Sequence, residues 1–554
     1  MPIKSPKALF EWNEEDSQHN CALKKLKTSK QELISIVCHD YKGGYLEDKY
    51  SHGTNEFNEW PPYSLNSWCL IDIFIYFSHN LVTIPPPGWI NAAHKNQTLI
   101  LGTFIVEWED GRKMLDEILK DDINIEKSVD MLVKLCNYYG FDGWLINIES
   151  KVQEDTVVKL QTFLKMLTQK MHISKTFSKI IWYDSIISNG NLEWQNELND
   201  LNNCFLKYSD AIFLNYTWTE ANLNNSMKDN KKVFVGIDVF GRGCNSCHGE
   251  GGFNTIQAVK QARSRNLGCA IFAPGWTLET LGGEKFDYNN DRFWSLLEND
   301  LNKNIEVEIP FYTNFCKGYG KKWYVNGKLE QEKKFFNLSL QSPQPYEYTN
   351  LTDGTIFCGS NSFRVTNCHD LFDINTELTS AQVFVLEFAF VEQIELKLYE
   401  KDNRTREIET FKKSSSEEEC QYDRRWKIKR IEFQTKSNHQ KLILVCSGSG
   451  FLGYIHFYEK SKHIKNTIEV IERCKNWTSF GGHYIFNGNF NCTTLNDLSH
   501  FNIYIRNDKE SEWKYNTSFY GSSFEITQLK LDKKQFYLKI SSIPGNYSTE
   551  IYIE

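Results

Sequence analysis

The chain has 554 residues, more than one hydrophobic core usually supports, so two to four domains are expected. Its formal net charge of −8 and pI near 6.0 argue against a nucleic-acid-binding protein, because phosphate recognition requires a basic surface. No segment approaches the roughly 20 consecutive apolar residues that a membrane-spanning helix requires, so we expect no membrane partner.

The N-terminal segment and the cysteines indicate the compartment. The segment MPIKSPKALFEWNEEDS has no apolar core of the kind found in export signals. The 15 cysteines are odd in number and irregularly spaced, which fits reduced thiols better than a disulfide framework. We therefore expect a cytoplasmic protein.

Residues 30–300 contain eight short β-rich apolar runs, separated by segments of helical character. This alternation is typical of parallel strands joined by crossover helices, and eight such strands close a (β/α)8 barrel. Segments 124–138 and 154–169 have apolar residues at helical spacing, which predicts crossover helices before and after the fourth run. The eight runs are 33–38, 71–77, 98–105, 143–149, 179–185, 211–216, 233–240 and 269–275.

Beyond about residue 305 the helical spacing stops and short alternating strands follow. This pattern predicts one or two antiparallel β-sandwiches, with strands at 333–340, 382–390, 394–399, 442–446 and 536–540. The polar segments 414–419 (SSSEEE) and 459–466 are interpreted as loops, and we place a domain boundary near residue 465.

Polar or aromatic residues follow each of the eight runs, and the active sites of barrel enzymes are built at these C-terminal strand ends. We therefore expect the chemistry to lie among these residues. They are His39 and Asp40, Ser78 and His79, Glu107 and Trp108, Asn147 and Glu149, Tyr183 and Asp184, Asn215 and Tyr216, Asp238, and Pro274 to Trp276.

The fourth run, FDGWLINIE (141–149), ends in a polar pair two residues apart. Side chains at positions i and i+2 of a strand share a face, so Asn147 and Glu149 would both face the barrel interior near its mouth. Asp142 would join them only if the start of the strand curls inward. A partly desolvated glutamate has a raised pKa and can act as a general acid.

An amide beside the acid is unusual, because ordinary retaining and inverting glycosidases use a second carboxylate. An amide cannot attack a sugar, but it can orient and polarise another amide. The pair therefore suits a substrate that supplies its own nucleophile, the 2-acetamido oxygen of N-acetylglucosamine. In that scheme Glu149 protonates the leaving oxygen, Asn147 holds the acetamido group during closure to an oxazoline, and Glu149 then deprotonates water. An Asn-x-Glu sequence is common by chance, and its place in the fourth of eight strands is what gives it weight.

The same stretch is similar to the fourth-strand signature of chitinases, except that Leu145 and Asn147 stand where the signature has acidic residues. It resembles more closely glycoside hydrolase family 85, the endo-β-N-acetylglucosaminidases. Seven further motifs carry this resemblance in chain order: CHDYKGGY (38–45), IDIFIYFSHNLVTIPPPGWINAAH (71–94), LGTFIVEW (101–108), IIWYDS (180–185), LNYTW (214–218), GIDVFGRG (236–243) and APGWTLE (273–279).

The resemblance implies hydrolysis of the β-1,4 bond in the N,N'-diacetylchitobiose core of N-glycans, with Glu149 as acid/base and Asn147 promoting the oxazoline. It further implies that Tyr183 contacts the reacting acetamido group. The remaining substrate-binding residues that we expect are Trp89, Trp194, Tyr216, Trp218, Asp238 and Trp276.

The resemblance extends to FYTNFCKGYG (311–320), which is similar to the start of a carbohydrate-module-like sandwich in the family. We therefore expect a (β/α)8 catalytic domain at 1–305, a carbohydrate-binding-module-like β-sandwich at 306–465, and a fibronectin-III-like or accessory β-sandwich at 466–554. The expected partner is an N-glycan oligosaccharide or glycopeptide. We expect a monomer that needs no metal and no cofactor.

Several alternatives stay open. One is a chitinase-like hydrolase of chitin oligomers, and another is an inactive sugar-binding protein that uses the tryptophan-lined cleft. The sequence Cys244 to His248 has the spacing of a c-type haem attachment site, but its glycine-rich surroundings favour a loop. His39, Asp40 and His79 could suggest a metal cluster, although hydrogen bonds to sugar hydroxyls are the interpretation that we favour.

Overall fold

The computed structural model describes residues 2–14, 26, 32–244, 249–401, 403–462, 468–480, 483–494, 500–543 and 547–554. The chain divides into two compact units. The barrel unit comprises Met1–Lys49 and Asn58–Asn304, and the β unit comprises Tyr50–Phe57 and Ile305–Glu554.

The barrel unit contains eight parallel strands in a closed ring, since β1 pairs with both β2 and β9. The predicted (β/α)8 barrel is therefore confirmed, and each predicted run overlaps one strand of the ring. A short ninth strand, β3, pairs antiparallel with β4. The strands are β1 Ser35–His39, β2 Ile73–Tyr76, β3 Val82–Thr83, β4 Leu99–Glu107, β5 Gly143–Glu149, β6 Lys179–Tyr183, β7 Ala211–Phe213, β8 Val233–Asp238 and β9 Gly268–Phe272.

Alternate residues of these strands fill the barrel interior. Leu101 and Ile105 of β4 and Leu145 of β5 belong to one buried cluster with residues of the other ring strands. Because side chains alternate between the two faces of a strand, the same interior face continues to Glu107 on β4 and to Asn147 and Glu149 on β5. Apolar layers thus fill the lower barrel, and polar side chains begin at its mouth.

The crossover helices begin and end at residues suited to those positions. In α4, the Asp121 side chain accepts a hydrogen bond from the Asn124 backbone, and Gly140 ends the helix with φ 88°. Both predicted helices are confirmed, and α5 continues beyond the predicted end because Met171 is also buried. The helices are α1 Pro6–Glu11, α2 Pro87–Lys95, α3 Trp108–Ile118, α4 Asp122–Tyr139, α5 Glu154–Ser174, α6 Asn203–Leu206, α7 Glu220–Ser226, α8 Thr255–Arg263, α9 Trp276–Glu279 and α10 Phe286–Leu297.

The β unit is built from antiparallel sheets. A ten-stranded sheet is centred on the long pairing of β19 with β23, and a three-stranded and a four-stranded sheet share a second buried core. The strands are β10 Glu306–Val307, β11 Phe311–Thr313, β12 Tyr319–Gly320, β13 Trp323–Val325, β14 Lys328–Gln331, β15 Phe335–Phe336, β16 Leu351–Thr352, β17 Ser362–Val365, β18 Cys368–Ile374, β19 Phe384–Glu400, β20 Asn403–Glu407, β21 Thr410–Glu419, β22 Lys427–Thr435, β23 Leu442–Glu459, β24 Ile468–Phe480, β25 His483–Thr494, β26 His500–Arg506, β27 Lys514–Tyr520, β28 Ser523–Leu531, β29 Phe536–Ile543 and β30 Ser548–Ile553.

Two predictions in the β unit are corrected. Of the predicted strand at 333–340 only Phe335–Phe336 is a strand, and Leu338–Leu340 form a 3-10 helix. The polar segment 414–419 lies in β21 and not in a loop. Glu417 and Glu419 pair in register with Lys429 and Lys427 of β22, so charges of opposite sign face each other across the two strands. The predicted division at 465/466 stays a prediction, since residues 463–467 lie outside the described part of the chain.

Candidate active site

Asn147 and Glu149 lie together at the mouth of the barrel, at the C-terminal end of β5. The Asn147 side-chain amide donates a hydrogen bond to Glu149 Oε2 at 3.4 Å. This contact agrees with the face that the two residues share on the strand. Asn147 is buried, with 4% of its surface exposed, whereas Glu149 is half-buried.

The other polar atom of the Asn147 side chain, Oδ1, is buried and has no hydrogen-bond partner among the described residues. A buried acceptor without a partner costs free energy, on the order of 1–3 kcal/mol, unless a ligand or water supplies a donor. The atom is therefore available to an N–H group, and an acetamido substituent carries one.

The Glu149 carboxyl has a pKa above its ordinary value. Burial is the largest cause, and the negative charge of Glu107 adds to it. Hydrogen bonds from Asn147 and Trp194 act in the opposite direction, because both stabilise the carboxylate. The Trp194 indole N–H lies 3.3 Å from Glu149 Oε1. Such a carboxyl keeps its proton at a higher pH than an exposed glutamate and can donate it to a leaving oxygen.

Tyr183 and Tyr216 line the mouth on the neighbouring strand ends. The Tyr183 hydroxyl donates to Asn215 Oδ1 at 2.9 Å, and the two tyrosine rings are 6.3 Å apart. Burial raises the pKa of both phenols well above the ordinary value, so they remain neutral hydrogen-bonding groups. The negative charge of the Glu149 carboxylate raises the pKa of both phenols further, because both tyrosines lie near the acid.

Asp238 is buried at the end of β8 and binds its own loop. Its carboxylate accepts hydrogen bonds from the backbone of Phe240 and from Arg242 Nε, the latter at 2.7 Å. The guanidinium of Arg242 lies 4.7 Å from the centre of the Phe240 ring. Asp238 therefore orders the start of this loop, where the Arg242 side chain is 58% exposed.

The tryptophans predicted to contact sugar differ in burial. Trp194 is 41% exposed, and Trp276 is partly exposed beside Phe253 at 5.3 Å. Trp89 and Trp218, in contrast, are fully buried. The indole N–H of Trp89 donates to Asp48, and that of Trp218 donates to the Gly236 carbonyl. The predicted cleft-lining role does not fit this burial of Trp89 and Trp218, because neither indole presents a face that a sugar could contact.

Three residues that the sequence analysis noted at strand ends, but did not include among the predicted catalytic and substrate-binding residues, also lie at this mouth. Glu107 ends β4 directly beside Glu149, with which it is paired in register. His79 Nδ1 lies 2.8 Å from Glu107 Oε2. Trp108 is 81% exposed and has φ 59°, a conformation that is uncommon for a bulky residue. Their positions just after apolar strand runs were the available signal.

Asp142 lies at the opposite end of β5. Its carboxylate lies 2.7 Å from His94 Nε2 and accepts a hydrogen bond from the Ile100 backbone. It is therefore a structural group of the barrel and takes no part in the mouth.

Of the residues considered for metal or haem binding, the structure describes His39, Asp40, His79 and Cys244. His39 is buried among aromatic rings, and burial lowers its pKa to about 3. In the described part of the chain, no three histidine, cysteine or acidic side chains are grouped so that they could hold a metal ion. Residues 245–248 of the Cys244 to His248 motif lie outside the described residues. None of the described helices combines the length and apolar character needed to cross a membrane.

Comparison with known proteins gives one family match and several relatives. The model of glycosyl hydrolase family 85 matches residues 45–323. Proteins named cytosolic endo-beta-N-acetylglucosaminidase are similar: 40% identity with that of Gallus gallus, over 60% of this chain and 46% of the relative. For Danio rerio the identity is 43%, over 56% of this chain and 44% of the relative. For Homo sapiens the identity is 38%, over 57% of this chain and 42% of the relative. The chain thus spans less than half the length of these relatives.

A solved structure resembles the whole chain. The glycoside hydrolase domain of Endo-D from Streptococcus pneumoniae superimposes with a TM-score of 0.76, covering 100% of this chain and 98% of that one. Because the two sequences are only 17% identical, this likeness shows that the fold is shared.

Proposed function

The chain belongs to glycosyl hydrolase family 85, and on that premise we propose that it is an endo-β-N-acetylglucosaminidase. Its substrate would be an N-glycan oligosaccharide or glycopeptide, cleaved at the β-1,4 bond of the N,N'-diacetylchitobiose core. The names of the relatives support this activity. The observation that carries the proposal is the unpartnered Asn147 Oδ1 beside a glutamate whose pKa is raised.

In the first step Glu149 donates its proton to the glycosidic oxygen as the bond from that oxygen to the anomeric carbon breaks. Asn147 Oδ1 accepts a hydrogen bond from the acetamido N–H, which increases the electron density on the acetamido carbonyl oxygen. That oxygen forms the new bond to the anomeric carbon and closes an oxazolinium ring. The enzyme itself then needs no nucleophilic carboxylate.

In the second step the Glu149 carboxylate takes a proton from water as the water oxygen attacks the anomeric carbon. The oxazolinium ring opens, and Glu149 returns to its protonated form. Two inversions give net retention of configuration. A sugar hydroxyl can replace water in this step, so transglycosylation is part of the proposal.

The direct test is incubation with a defined N-glycopeptide, followed by mass spectrometry of both products. We expect one N-acetylglucosamine to remain on the asparagine, a product that a chitin-specific hydrolase would not make. Glu149→Gln should abolish cleavage. Asn147→Ala should lose cleavage of the glycopeptide but still transfer a preformed sugar oxazoline. Normal glycopeptide cleavage by Asn147→Ala would rule out the assisted mechanism.

We also propose a cytoplasmic location and a monomer. The matched relatives are named cytosolic, and no disulfide joins any two cysteines of the described residues. Fractionation of cells that express the chain at natural levels, with size-exclusion chromatography of the purified protein, tests both.

A further inference from the structure

His79, in the segment that follows β2, lies in a row with Glu107 and Glu149, which end the neighbouring strands β4 and β5. We propose that Glu107 is a positioning residue whose carboxylate, oriented by His79, holds Glu149 in the protonated form that donates to the leaving oxygen. This inference rests on the proposed function, because it takes Glu149 to be the general acid of that reaction. Glu107 and His79 themselves would not touch the reacting atoms.

The backbone places Glu107 beside Glu149. The two residues are register partners on the adjacent parallel strands β4 and β5, and neighbouring strands lie about 4.8 Å apart. Leu101 and Ile105 of β4 point into the barrel core, so Glu107 continues the same interior face. Two carboxyl groups therefore face one mouth at adjacent positions.

Glu107 also precedes helix α3, where its side chain could have capped the helix, but it makes no capping hydrogen bond there. Its Oε2 lies instead 2.8 Å from His79 Nδ1. The Glu107 side chain is 15% exposed and that of His79 is 59% exposed. The imidazole, which packs edge-on against Phe77 at 5.3 Å, thus holds the carboxylate at the mouth from the solvent side.

The charges around Glu149 decide its protonation. Burial favours the neutral carboxyl, and the Glu107 carboxylate favours it further, because two neighbouring negative charges repel. Protonated His79 has the opposite effect, and hydrogen bonding to Glu107 raises the pKa of His79. The other titratable groups near this row are Asp40, which acts on His79, and the neutral phenols of Tyr183 and Tyr216.

An adjacent carboxylate could in principle be the nucleophile of an ordinary retaining enzyme, since such pairs lie roughly 5–5.5 Å apart. However, the nucleophile must approach the sugar from the side opposite to the acid, and Glu107 lies next to the acid on the neighbouring strand. Its carboxylate is also engaged by His79. Both facts favour a positioning role.

The first test is the pH dependence of kcat/KM for Glu107→Gln on a defined N-glycopeptide. Glutamine keeps the size and an oxygen for His79 but removes the charge. The basic limb of the profile reports the pKa of the general acid, so it should move about one unit to lower pH. Glu109→Gln, two residues away on the exposed first turn of α3, makes the same change in net charge and should leave the limb in place.

The second test is His79→Gln, which should move the basic limb in the opposite direction. Without the imidazolium, the Glu107 charge is uncompensated and keeps the proton on Glu149 to higher pH. A residue with a purely structural role would lower activity at every pH without displacing the limb. Opposite displacements by the two variants would therefore support the inference.

A readout that needs no activity separates this inference from the proposed function. Infrared difference spectra between the wild-type protein and Glu149→Gln isolate the Glu149 carboxyl band, and its pH midpoint should fall in a Glu107→Gln background. An unchanged midpoint would overturn the positioning role even if glycopeptide cleavage is found. If Glu107→Gln lowers the midpoint but the wild-type protein does not cleave glycopeptides, the positioning role is supported and only the proposed function is wrong. Loss of cleavage at all pH values in Glu107→Gln, with an unchanged midpoint, would indicate a nucleophile instead.

Discussion

The hydrogen bond between Trp194 and Glu149 gives a prediction about a single atom. In Trp194→Phe the ring stays but the N–H that stabilises the carboxylate is lost. The pKa of Glu149 should then rise further, and the basic limb of kcat/KM should move about half a unit to higher pH. The measurement is the pH profile of glycopeptide hydrolysis.

A matched control for this variant lies in the β unit, where Trp513→Phe removes another partly buried indole N–H. That change should leave the profile unaltered. A limb that moved to lower pH in Trp194→Phe would contradict the assignment, because it would mean that the indole stabilises the protonated form.

How far single residues could be predicted depends on the distance in sequence between interacting groups. Asn147 and Glu149 share a face because strands repeat every two residues, and one short run contains that information. Glu107 is 42 positions from Glu149, and only the register between β4 and β5 makes them neighbours. The burial of Trp89 and Trp218 could not be predicted from the sequence either, because their indoles are held by hydrogen bonds to Asp48 and to the Gly236 carbonyl, which are distant in sequence.

The loop between β6 and α6, which carries Trp194, depends on one buried carboxylate. Asp184 accepts hydrogen bonds from the Gln195 and Asn196 backbones and from the Asn202 side chain. In Asp184→Asn one acceptor oxygen becomes a donor that faces these donors, which should cost about 2–3 kcal/mol. We expect a lower melting temperature together with reduced cleavage. Asp200→Asn, an exposed position in the same loop, should change neither. Equal melting temperatures for both variants would contradict the role.

Asp184 also predicts how stability depends on pH. Burial raises its pKa from 3.8 to about 6, so the folded protein holds this proton more tightly than the unfolded chain. The part of the unfolding free energy that comes from this tighter proton binding is fully present below pH 3.8 and is lost as the pH rises through about 6. The difference between the unfolding free energies of wild type and Asp184→Asn, measured by urea denaturation between pH 4 and 7, should therefore change with pH. A difference in unfolding free energy that stays constant between pH 4 and 7 would contradict the raised pKa of Asp184.

The start of β5 restricts the backbone that carries the catalytic pair. Gly143 has φ 150°, and an added Cβ would overlap the Lys179 carbonyl on β6. Gly143→Ala should therefore displace β5 or separate it from β6, at a cost of about 3 kcal/mol. Gly354→Ala, where the nearest atom is 3.5 Å from the added Cβ, is the control. Urea denaturation of both variants measures the difference, and equal stability would show that β5 can adjust.

Predictions for whole elements succeeded where the apolar pattern was regular. The eight ring strands alternate with helices such as α4 and α5, which is typical of parallel strands joined by crossover helices, and eight is the number of strands that closes a (β/α)8 barrel. In the β unit, two predicted strands are one, because β19 runs through a bulge between Ala389 and Phe390. Residues 414–419 of β21 were predicted as a loop because they are all polar. The strand is exposed, and the partners that stabilise it are charges on β22, which the segment itself does not reveal.

The division of the whole molecule was only partly readable from the sequence. The change from helical to alternating spacing near residue 305 coincides with the end of the barrel unit at Asn304. Residues Tyr50–Phe57, however, belong to the β unit although they lie between β1 and β2. Thr54 pairs with Phe336 through two backbone hydrogen bonds of 2.8 and 3.0 Å. A contact between residues so distant in sequence leaves no local pattern.

The cysteines of both units give a prediction about the complete protein. The described residues contain 13 cysteines, no two of which are joined in a disulfide, and nine of them are buried. Burial raises the pKa of Cys136 and Cys269 to about 12, so their reactive thiolate is scarce at neutral pH. Cys368 and Cys474 are exposed. Brief alkylation of the native protein should therefore label these two first and leave the buried nine unmodified.

Peptide mass spectrometry after alkylation measures this order directly. Labelling in denaturant, without any reductant, should modify the nine buried cysteines as well, because no disulfide joins any two of the described cysteines. A reductant should accordingly leave the melting temperature unchanged. A disulfide-linked peptide between any two of these cysteines would contradict the absence of disulfides among the described residues. It would also remove one of the two observations that support a cytoplasmic location. The activity proposal would be untouched, because none of the observations that support it involves a cysteine.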